Sequence, residues 1–151
     1  MAKFIFSLQS ILDIKLKLET QAKQTFAAAF QRLNEEEKKL SAFYERKHHY
    51  EERAVELLQG SLQIREIEEN KSAIIRMDAC IQEQQRITEN ARTQAELARE
   101  QMTEAVKERK TYETLRERAF EEFVQAENKE ESKSVDELVS YTYGQKTIQK
   151  V

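Results

Sequence analysis

The apolar residues in the second half of the chain recur with a seven-residue period that continues unbroken for about eight heptads. Their spacing alternates between three and four residues, which is typical of the seam of a coiled coil. The row consists of Ile67, Asn70, Ile74, Met77, Ile81, Gln84, Thr88, Ala91, Ala95, Ala98, Met102, Ala105, Arg109, Tyr112, Arg116, Ala119, Phe123 and Ala126. This pattern predicts one long helix over about residues 64–130.

The first half of the chain carries a second row of the same kind. It consists of Phe4, Leu8, Ile11, Lys15, Leu18, Ala22, Phe26, Ala29, Leu33, Glu36, Leu40, Phe43, Lys47, Tyr50, Ala54 and Leu57. Two successive four-residue steps, from Leu18 to Ala22 to Phe26, interrupt the alternation, and such a stutter locally unwinds a supercoil. The row predicts a first helix over about residues 4–58.

A short lapse that contains Gly60 separates the two rows. Gly60 is the only glycine before position 144, and glycine is the usual residue just after a helix because it readily adopts a left-handed conformation. We therefore expect a turn at about residues 59–63. Helices joined by a short loop are antiparallel neighbours, so the predicted fold is all-α: a long antiparallel two-helix coiled-coil hairpin that forms a single domain over residues 1–151.

The position of the turn also predicts which residues lie opposite each other, since partners should have residue numbers that sum to about 122. This register brings Phe26 and Leu33 opposite a row of alanines, so that large side chains on one helix meet small ones on the other. The second arm is longer than the first, and the apolar residues near its end should have no partner in the first arm. We expect intermolecular contact to cover them, or else terminal residues that fold back.

The composition becomes polar after residues 129–131. Ser134-Val135-Asp136-Glu137 fits a capping box, in which Ser134 caps a new helix and the Glu137 side chain reciprocates. We therefore expect a capped tail over residues 134–151, either as a short C-terminal helix or as a frayed segment.

The composition supports long helices and excludes several classes of function. The chain has no Pro, no Trp and only two Gly, and charged residues make up 35% of it, which is typical of coiled coils. Its 25 basic and 28 acidic residues are interleaved, which argues against nucleic acid and against a basic membrane-binding face. No segment approaches the ~20 apolar residues that span a bilayer, so we expect a cytoplasmic protein without direct membrane insertion.

No catalytic, cofactor-binding or metal-binding site is expected. His48 and His49 are the only histidines, and adjacent helical residues point about 100° apart, so they cannot chelate one ion together. Cys80 is the only cysteine, which excludes an internal disulfide and a multi-cysteine metal site. Two paired helices also offer no deep pocket for catalysis. We therefore expect a protein that binds other proteins and is not an enzyme.

Phe43, Tyr44 and Tyr50 cluster on the first arm, where a two-stranded seam cannot bury all of them. They either form a docking site beside the seam or pack along it with their edges in water.

Three features of the chain together resemble the flagellar export protein FliJ family. They are the Gly-bearing central turn, a tail with Lys133-x-x-Asp136-Glu137-Leu138, and an opening with Phe4-x-Phe6-x-Leu8-x-x-Ile11-Leu12.

The resemblance covers essentially the whole chain in length and layout. It implies a bacterial component of the flagellar type III export apparatus, peripheral to the cytoplasmic face of the basal body and similar to the stalk subunit of rotary ATPases. The implied partners are the hexameric flagellar export ATPase, the cytoplasmic domain of the export gate and the export chaperones. The implied function is that of a non-catalytic adaptor.

Two partner-binding surfaces are also implied by the resemblance. The residues placed at the ATPase-binding end are Phe4, Phe6, Phe120, Phe123 and Val124. The residues in the place of the gate-binding surface are Leu40, Phe43, Tyr50, Met77 and Cys80, while Arg46 stands where the family has an aromatic residue. Two alternatives stay open: a stalk protein of a virulence type III system or rotary ATPase, and a structural coiled coil that self-associates.

Overall fold

The computed structural model describes residues 2–149 of the chain, of which residues 147–149 are described by their backbone alone. It consists of two helices, α1 at Gln9–Leu57 and α2 at Ile64–Gln149, which pack against each other, and no strand occurs within residues 2–149. The predicted fold class, an all-α antiparallel two-helix hairpin, is confirmed. The chain divides into two compact units: the turn unit, Glu19–Glu104, and the terminal unit, Met1–Leu18 with Ala105–Val151.

The helices of the turn unit are joined by a tight reversal of the chain. At the end of α1 the hydrogen bonds join residues three apart, as in a 3₁₀ turn: the Leu58 amide donates to the Val55 carbonyl, and the Gln59 amide donates to the Glu56 carbonyl. Gly60 then adopts a φ of 82°, the left-handed conformation that side chains disfavour. The prediction that Gly60 caps the first helix is confirmed.

The core of the turn unit follows the predicted row on α2. Ala91, Ala95 and Ala98 are only 1%, 4% and 5% exposed, and Met77 and Ile81 are also buried. Opposing residues of α1, such as Phe26 and Leu33, are half-buried, as expected for a helix that has a single partner. The interhelical contacts, for example from Asn70 to Tyr50 and from Gln84 to Glu36, fall within a few positions of the predicted register.

The predicted seam at the start of α1 is wrong by one residue. Leu12 and Glu19 are buried at 4% and 6% exposure, whereas Ile11 and Leu18 are exposed. With Leu12 and Glu19 in the row, the spacing alternates between three and four residues without a break, so the predicted stutter does not exist. The error arose because Leu18 is apolar, while Glu19 is acidic and sits next to it.

The first helix also begins later than predicted, at Gln9 and not near residue 4. Residues 2–6 form no helix, and the Gln9 amide closes a turn onto the Phe6 carbonyl at 3.1 Å. This non-helical segment packs the rings of Phe4 and Phe6 into the terminal unit, so the apolar end of α2 is partly covered by the N-terminal segment of the same chain. The expectation that it has no partner there is corrected.

The predicted capped tail is also corrected, since α2 runs without interruption to Gln149. Ser134 and Glu137 lie inside the helix and not at its start. Residues 128–143 contain neither Pro nor Gly, so nothing in this segment stops a helix that is already formed. Every residue from 128 to 146 is exposed, because no other element of the terminal unit covers this part of α2.

Candidate docking surfaces

Three phenylalanines form an aromatic cluster in the terminal unit. The Phe4 ring meets the Phe120 ring edge-on, with centroids 5.2 Å apart, and lies 5.5 Å from the Phe123 ring. Phe120 and Phe123 are stacked at 6.5 Å. Such ring pairs stabilise their arrangement beyond the area that they bury. The cluster therefore fixes the N-terminal segment on one side of α2.

Arg116 holds the same segment from the neighbouring turn of α2. Its guanidinium carbon lies 5.7 Å from the centroid of the Phe4 ring, within the range of a cation–π interaction. Its Nε donates a hydrogen bond of 3.0 Å to the amide oxygen of Gln9, the first residue of α1. The side chain thus contacts both the non-helical segment and the helix that follows, although sequence reasoning had placed it in the apolar row.

The five residues predicted to bind the ATPase differ in their accessibility. Phe6 is buried, and Phe4 and Phe123 are half-buried in the aromatic cluster. Phe120 and Val124 are 48% and 37% exposed and lie one helical turn apart on α2. The structure therefore leaves Phe120 and Val124 available to a partner, with Phe4 and Phe123 beneath them as support. We name Phe120 and Val124 the terminal patch.

A further apolar surface was missed by the sequence reasoning. Val135, Leu138, Val139 and Tyr143 are spaced as on one face of a helix, and all four are more than half exposed. With Thr142 and Lys146 they line a shallow notch of about 330 Å³. We name these four residues the C-terminal stripe. The helical spacing is present in the sequence, but the capping box at Ser134 predicts that a separate short helix or a frayed segment begins there.

The residues predicted to bind the export gate do not all reach the surface. Met77 is buried at 7% exposure, Leu40 and Tyr50 are half-buried along the seam, and Cys80 is exposed. Phe43 and Cys80 come from different helices and line the same notch, of about 410 Å³, which we name the Phe43 notch. Its other lining residues are Ala79, Glu83 and Gln84.

Tyr50 lines a separate, more polar notch of about 340 Å³ with charged residues that include Arg53 and Glu66. Tyr44, which shares the aromatic segment, is 45% exposed and accepts a hydrogen bond of 2.5 Å from the Gln85 side chain. The residues of the aromatic segment therefore differ in their placement. Phe43 and Tyr50 pack along the seam with part of each ring at a notch, whereas Tyr44 lies at the surface.

An ion pair crosses between the helices in each of the two units. The ammonium of Lys47 lies 2.7 Å from a carboxylate oxygen of Asp78, and this hydrogen bond raises the pKa of Lys47. In the terminal unit, Lys15 and Glu108 pair at 2.9 Å, which likewise raises the pKa of Lys15. Both lysines occupy seam positions, where their methylene stems pack and their charged ends reach an acid on the other helix.

A buried polar layer crosses the seam of the turn unit close to the Phe43 notch. The Gln84 amide donates hydrogen bonds of 2.5 Å to the carboxylate of Glu36 and 3.2 Å to its main-chain carbonyl. The Thr88 hydroxyl donates to the same carbonyl at 3.4 Å. The hydrogen bond from Gln84 is the main reason that the pKa of Glu36 is lowered. We name Glu36, Gln84 and Thr88 the polar layer.

Another notch, of about 360 Å³, lies at the turn and is almost entirely apolar, with Leu57, Leu58, Ile67, Ile74 and Ile75 in its lining. No cluster of three or more His, Cys, Asp or Glu side chains suited to a metal ion occurs among the described residues. Within the same part of the chain, neither helix has an apolar stretch long enough to cross a membrane.

Paired antiparallel helices and a capped turn define a coiled-coil hairpin protein. A family model described as "Flagellar FliJ protein" matches residues 4–147, nearly the whole chain. The chain belongs to the FliJ family, which is non-catalytic, and is therefore a flagellar export-associated coiled-coil protein. The resemblance found in the sequence is thus confirmed. Searches of curated proteins and of solved structures gave no match.

Proposed function

We propose that this protein is a non-catalytic adaptor of the flagellar type III export apparatus. In this proposal it binds the hexameric export ATPase as a stalk and links it to the cytoplasmic domain of the export gate and to the chaperones of late export substrates. Its site of action is the cytoplasmic face of the flagellar basal body. Membership of the FliJ family supports the assignment to the export apparatus.

The observation that carries the ATPase interaction is the exposure of the terminal patch above a rigid support. Phe120 is a large aromatic side chain that is 48% exposed, and residues of this type contribute most to binding when a partner covers them. Because Phe4 and Phe123 already hold its ring, little side-chain entropy is lost on binding. The C-terminal stripe extends the apolar surface of the terminal unit.

The proposed gate-binding surface is the Phe43 notch, which combines Phe43 of α1 with Cys80 of α2. A partner that binds this notch contacts both helices, so its affinity depends on how the helices pair as well as on their side chains. The chaperones are the third proposed partner, and no surface is assigned to them.

The ATPase interaction is tested by measuring ATP turnover and hexamer assembly of the same organism's export ATPase with and without this protein. Replacing Phe120→Ser and Val124→Ser together should weaken the effect at least tenfold, since both apolar contacts are lost. The matched control is Leu97→Ser, which removes a 55% exposed apolar side chain from the turn unit. Equal effects of the terminal-patch variant and the control on the ATPase would refute the proposed surface.

The C-terminal stripe allows a second candidate function, in which a second copy of this chain covers it and the protein is a structural coiled coil. Sedimentation equilibrium of the isolated protein separates the two. If the stripe binds the ATPase, the protein stays monomeric and Leu138→Ser with Val139→Ser weakens ATPase binding. If the stripe binds another copy, the parent associates with increasing concentration and this variant does not.

A further inference from the structure

We propose that Glu36 and Gln84 are positioning residues that fix the register of α1 against α2 and thereby give the Phe43 notch its shape. The notch exists only where particular residues of the two helices meet, so its geometry depends on which turn of α1 lies beside which turn of α2. This inference rests on the proposed gate interaction for its functional consequence, whereas its structural part is independent of any partner.

The apolar part of the seam specifies the register weakly. The row on α2 contains Ala91, Ala95 and Ala98, whose side chains are small and nearly identical in shape. Sliding one helix by a heptad moves it about 10 Å and still places apolar residues against apolar residues. The hydrophobic contacts alone therefore tolerate more than one pairing of the helices.

The turn opposes such a slide only modestly. A shift of one heptad in the pairing moves the centre of the turn by about half a heptad, because each helix supplies half of the change. Gly60 would then lie inside a helix or leave its cap, which reduces the shifted population by a factor of about five but does not remove it.

The polar layer discriminates between registers much more strongly. In the observed pairing, the Glu36 carboxylate accepts the Gln84 amide at 2.5 Å, and Gln84 and Thr88 are 6% and 2% exposed. A slide of one heptad would place Glu36 opposite Met77 or Ala91, neither of which has a polar side chain. In the shifted register the Glu36 carboxylate would keep only Lys39 on its own helix, at 3.4 Å, whereas the buried Gln84 amide would lose both of its acceptors on Glu36. Losing hydrogen-bond partners in the seam is unfavourable, and single buried polar residues fix coiled-coil register in this way.

The polar layer is also part of the notch that it would position. Gln84 lines the Phe43 notch with Ala79 and Cys80 while its amide is held by Glu36. In a register shifted by one heptad, Phe43 would move about two helical turns away from Cys80. The composite surface would then be lost although both helices remained formed.

The register is tested by distances between spin labels on the native Cys80 and on a cysteine introduced by Gln31→Cys. Gln31 is exposed, and both positions lie in the turn unit. The parent should give one distance population. In Glu36→Leu with Gln84→Leu, which replaces the charged and amide groups by apolar side chains, we expect a second population displaced by about 10 Å and at least a tenth of the molecules. Helix content should stay unchanged.

Two further variants make the result specific. Gln94→Leu removes an exposed interhelical hydrogen bond of 2.7 Å from Arg32 and should leave one distance population. Glu36→Gln with Gln84→Glu exchanges the two groups and should restore the single population. A single, undisplaced population in the double-leucine variant would overturn the proposal.

The functional consequence is measured by titrating the purified cytoplasmic domain of the export gate with the same variants. The affinity of the double-leucine variant should fall by the same factor as the fraction of its molecules in the observed register, which the spin-label distances measure, and the exchanged pair should recover. An affinity that does not follow this fraction would overturn the positioning role. Cys80→Glu leaves the polar layer intact, so if it does not weaken binding, the proposed gate surface is refuted while the register result stands.

Discussion

Glu19 occupies a buried seam position of α1 although its side chain is acidic. Its carboxylate pairs with Lys23 one helical turn away, at 2.9 Å, and only 8% of its side chain is exposed. The pair keeps the charge neutralised at the edge of the seam, while the methylene groups of both side chains pack against the helix. The neighbouring Leu18 is consequently turned outward and is 43% exposed.

Leu12 lies in the seam and Leu18 lies beside it, so the two leucines should differ in their contribution to the free energy of unfolding. Leu12→Ala removes a side chain that is 4% exposed and should lower the free energy of unfolding by about 2 kcal/mol. Leu18→Ala should change it by less than about 0.5 kcal/mol, because the side chain lies outside the seam and is 43% exposed. Urea unfolding followed by circular dichroism measures both values. Equal losses would contradict the corrected seam.

The seam residues could be predicted where no apolar neighbour competed for the position. Glu36 and Lys47 were placed correctly although they are charged, because the residues beside them are polar. Glu19 was missed because Leu18 precedes it and fits the apolar pattern better. Hydrophobicity alone does not include the ion pair that allows an acid to be buried.

The second helix continues well beyond the segment that packs against α1. From residue 128 to residue 146 it is exposed on all sides, and its internal contacts include the hydrogen bond of 2.8 Å from the Thr142 hydroxyl to the Leu138 carbonyl. The sequence predicted this helix only as far as about residue 130, where the apolar row ends. A capping-box motif occurs at Ser134, but a motif of this kind begins a helix only where the preceding helix has ended.

The position of Ser134 inside α2 can be tested with one substitution. An interior serine replaced by alanine should increase local helix stability by up to about 0.5 kcal/mol, whereas loss of an N-cap serine would decrease it by about 1 kcal/mol. Amide hydrogen exchange of residues 135–138 reports the difference. Ser132→Ala is the matched control, and we expect the two variants to behave alike. A decrease that occurs only in Ser134→Ala would restore the capped-helix interpretation.

The non-helical conformation of the N-terminal segment could not be predicted from the seven-residue pattern. Phe4 continues the spacing of the α1 row, so the sequence predicted that the helix includes it. Its observed partners, Phe120, Phe123 and Arg116, are more than a hundred residues away in the chain. Contacts at such separation outweigh local periodicity, and they replaced a helical turn by an extended segment.

At the scale of the whole molecule, the two proposed surfaces belong to different units of the chain. The terminal patch lies in the terminal unit, whereas the Phe43 notch and the polar layer lie in the turn unit. The two surfaces share no residue. In the proposed function, each of the two units would therefore engage a different partner.

Substitutions in the two units should therefore separate the two activities. Phe120→Ser with Val124→Ser should weaken stimulation of the ATPase at least tenfold and retain gate binding. Glu36→Leu with Gln84→Leu should retain stimulation and weaken gate binding in proportion to its displaced population. Titration of each purified partner with both variants, followed by motility assays of the complemented deletion strain, measures this. Loss of both interactions in either variant would show that the surfaces are not independent.

The turn offers a practical route to following the protein in living cells. Residues 58–63 are exposed, and the amides of Leu58 and Gln59 are hydrogen-bonded to the end of α1. A Cβ atom added at Gly60 would meet no atom within 4 Å. Each doubling of a loop costs only about 0.6 kcal/mol in closure entropy. A fluorescent domain inserted between Gly60 and Ser61 should thus be tolerated and, in the proposed function, would make single molecules visible as they arrive at and leave a working flagellar base.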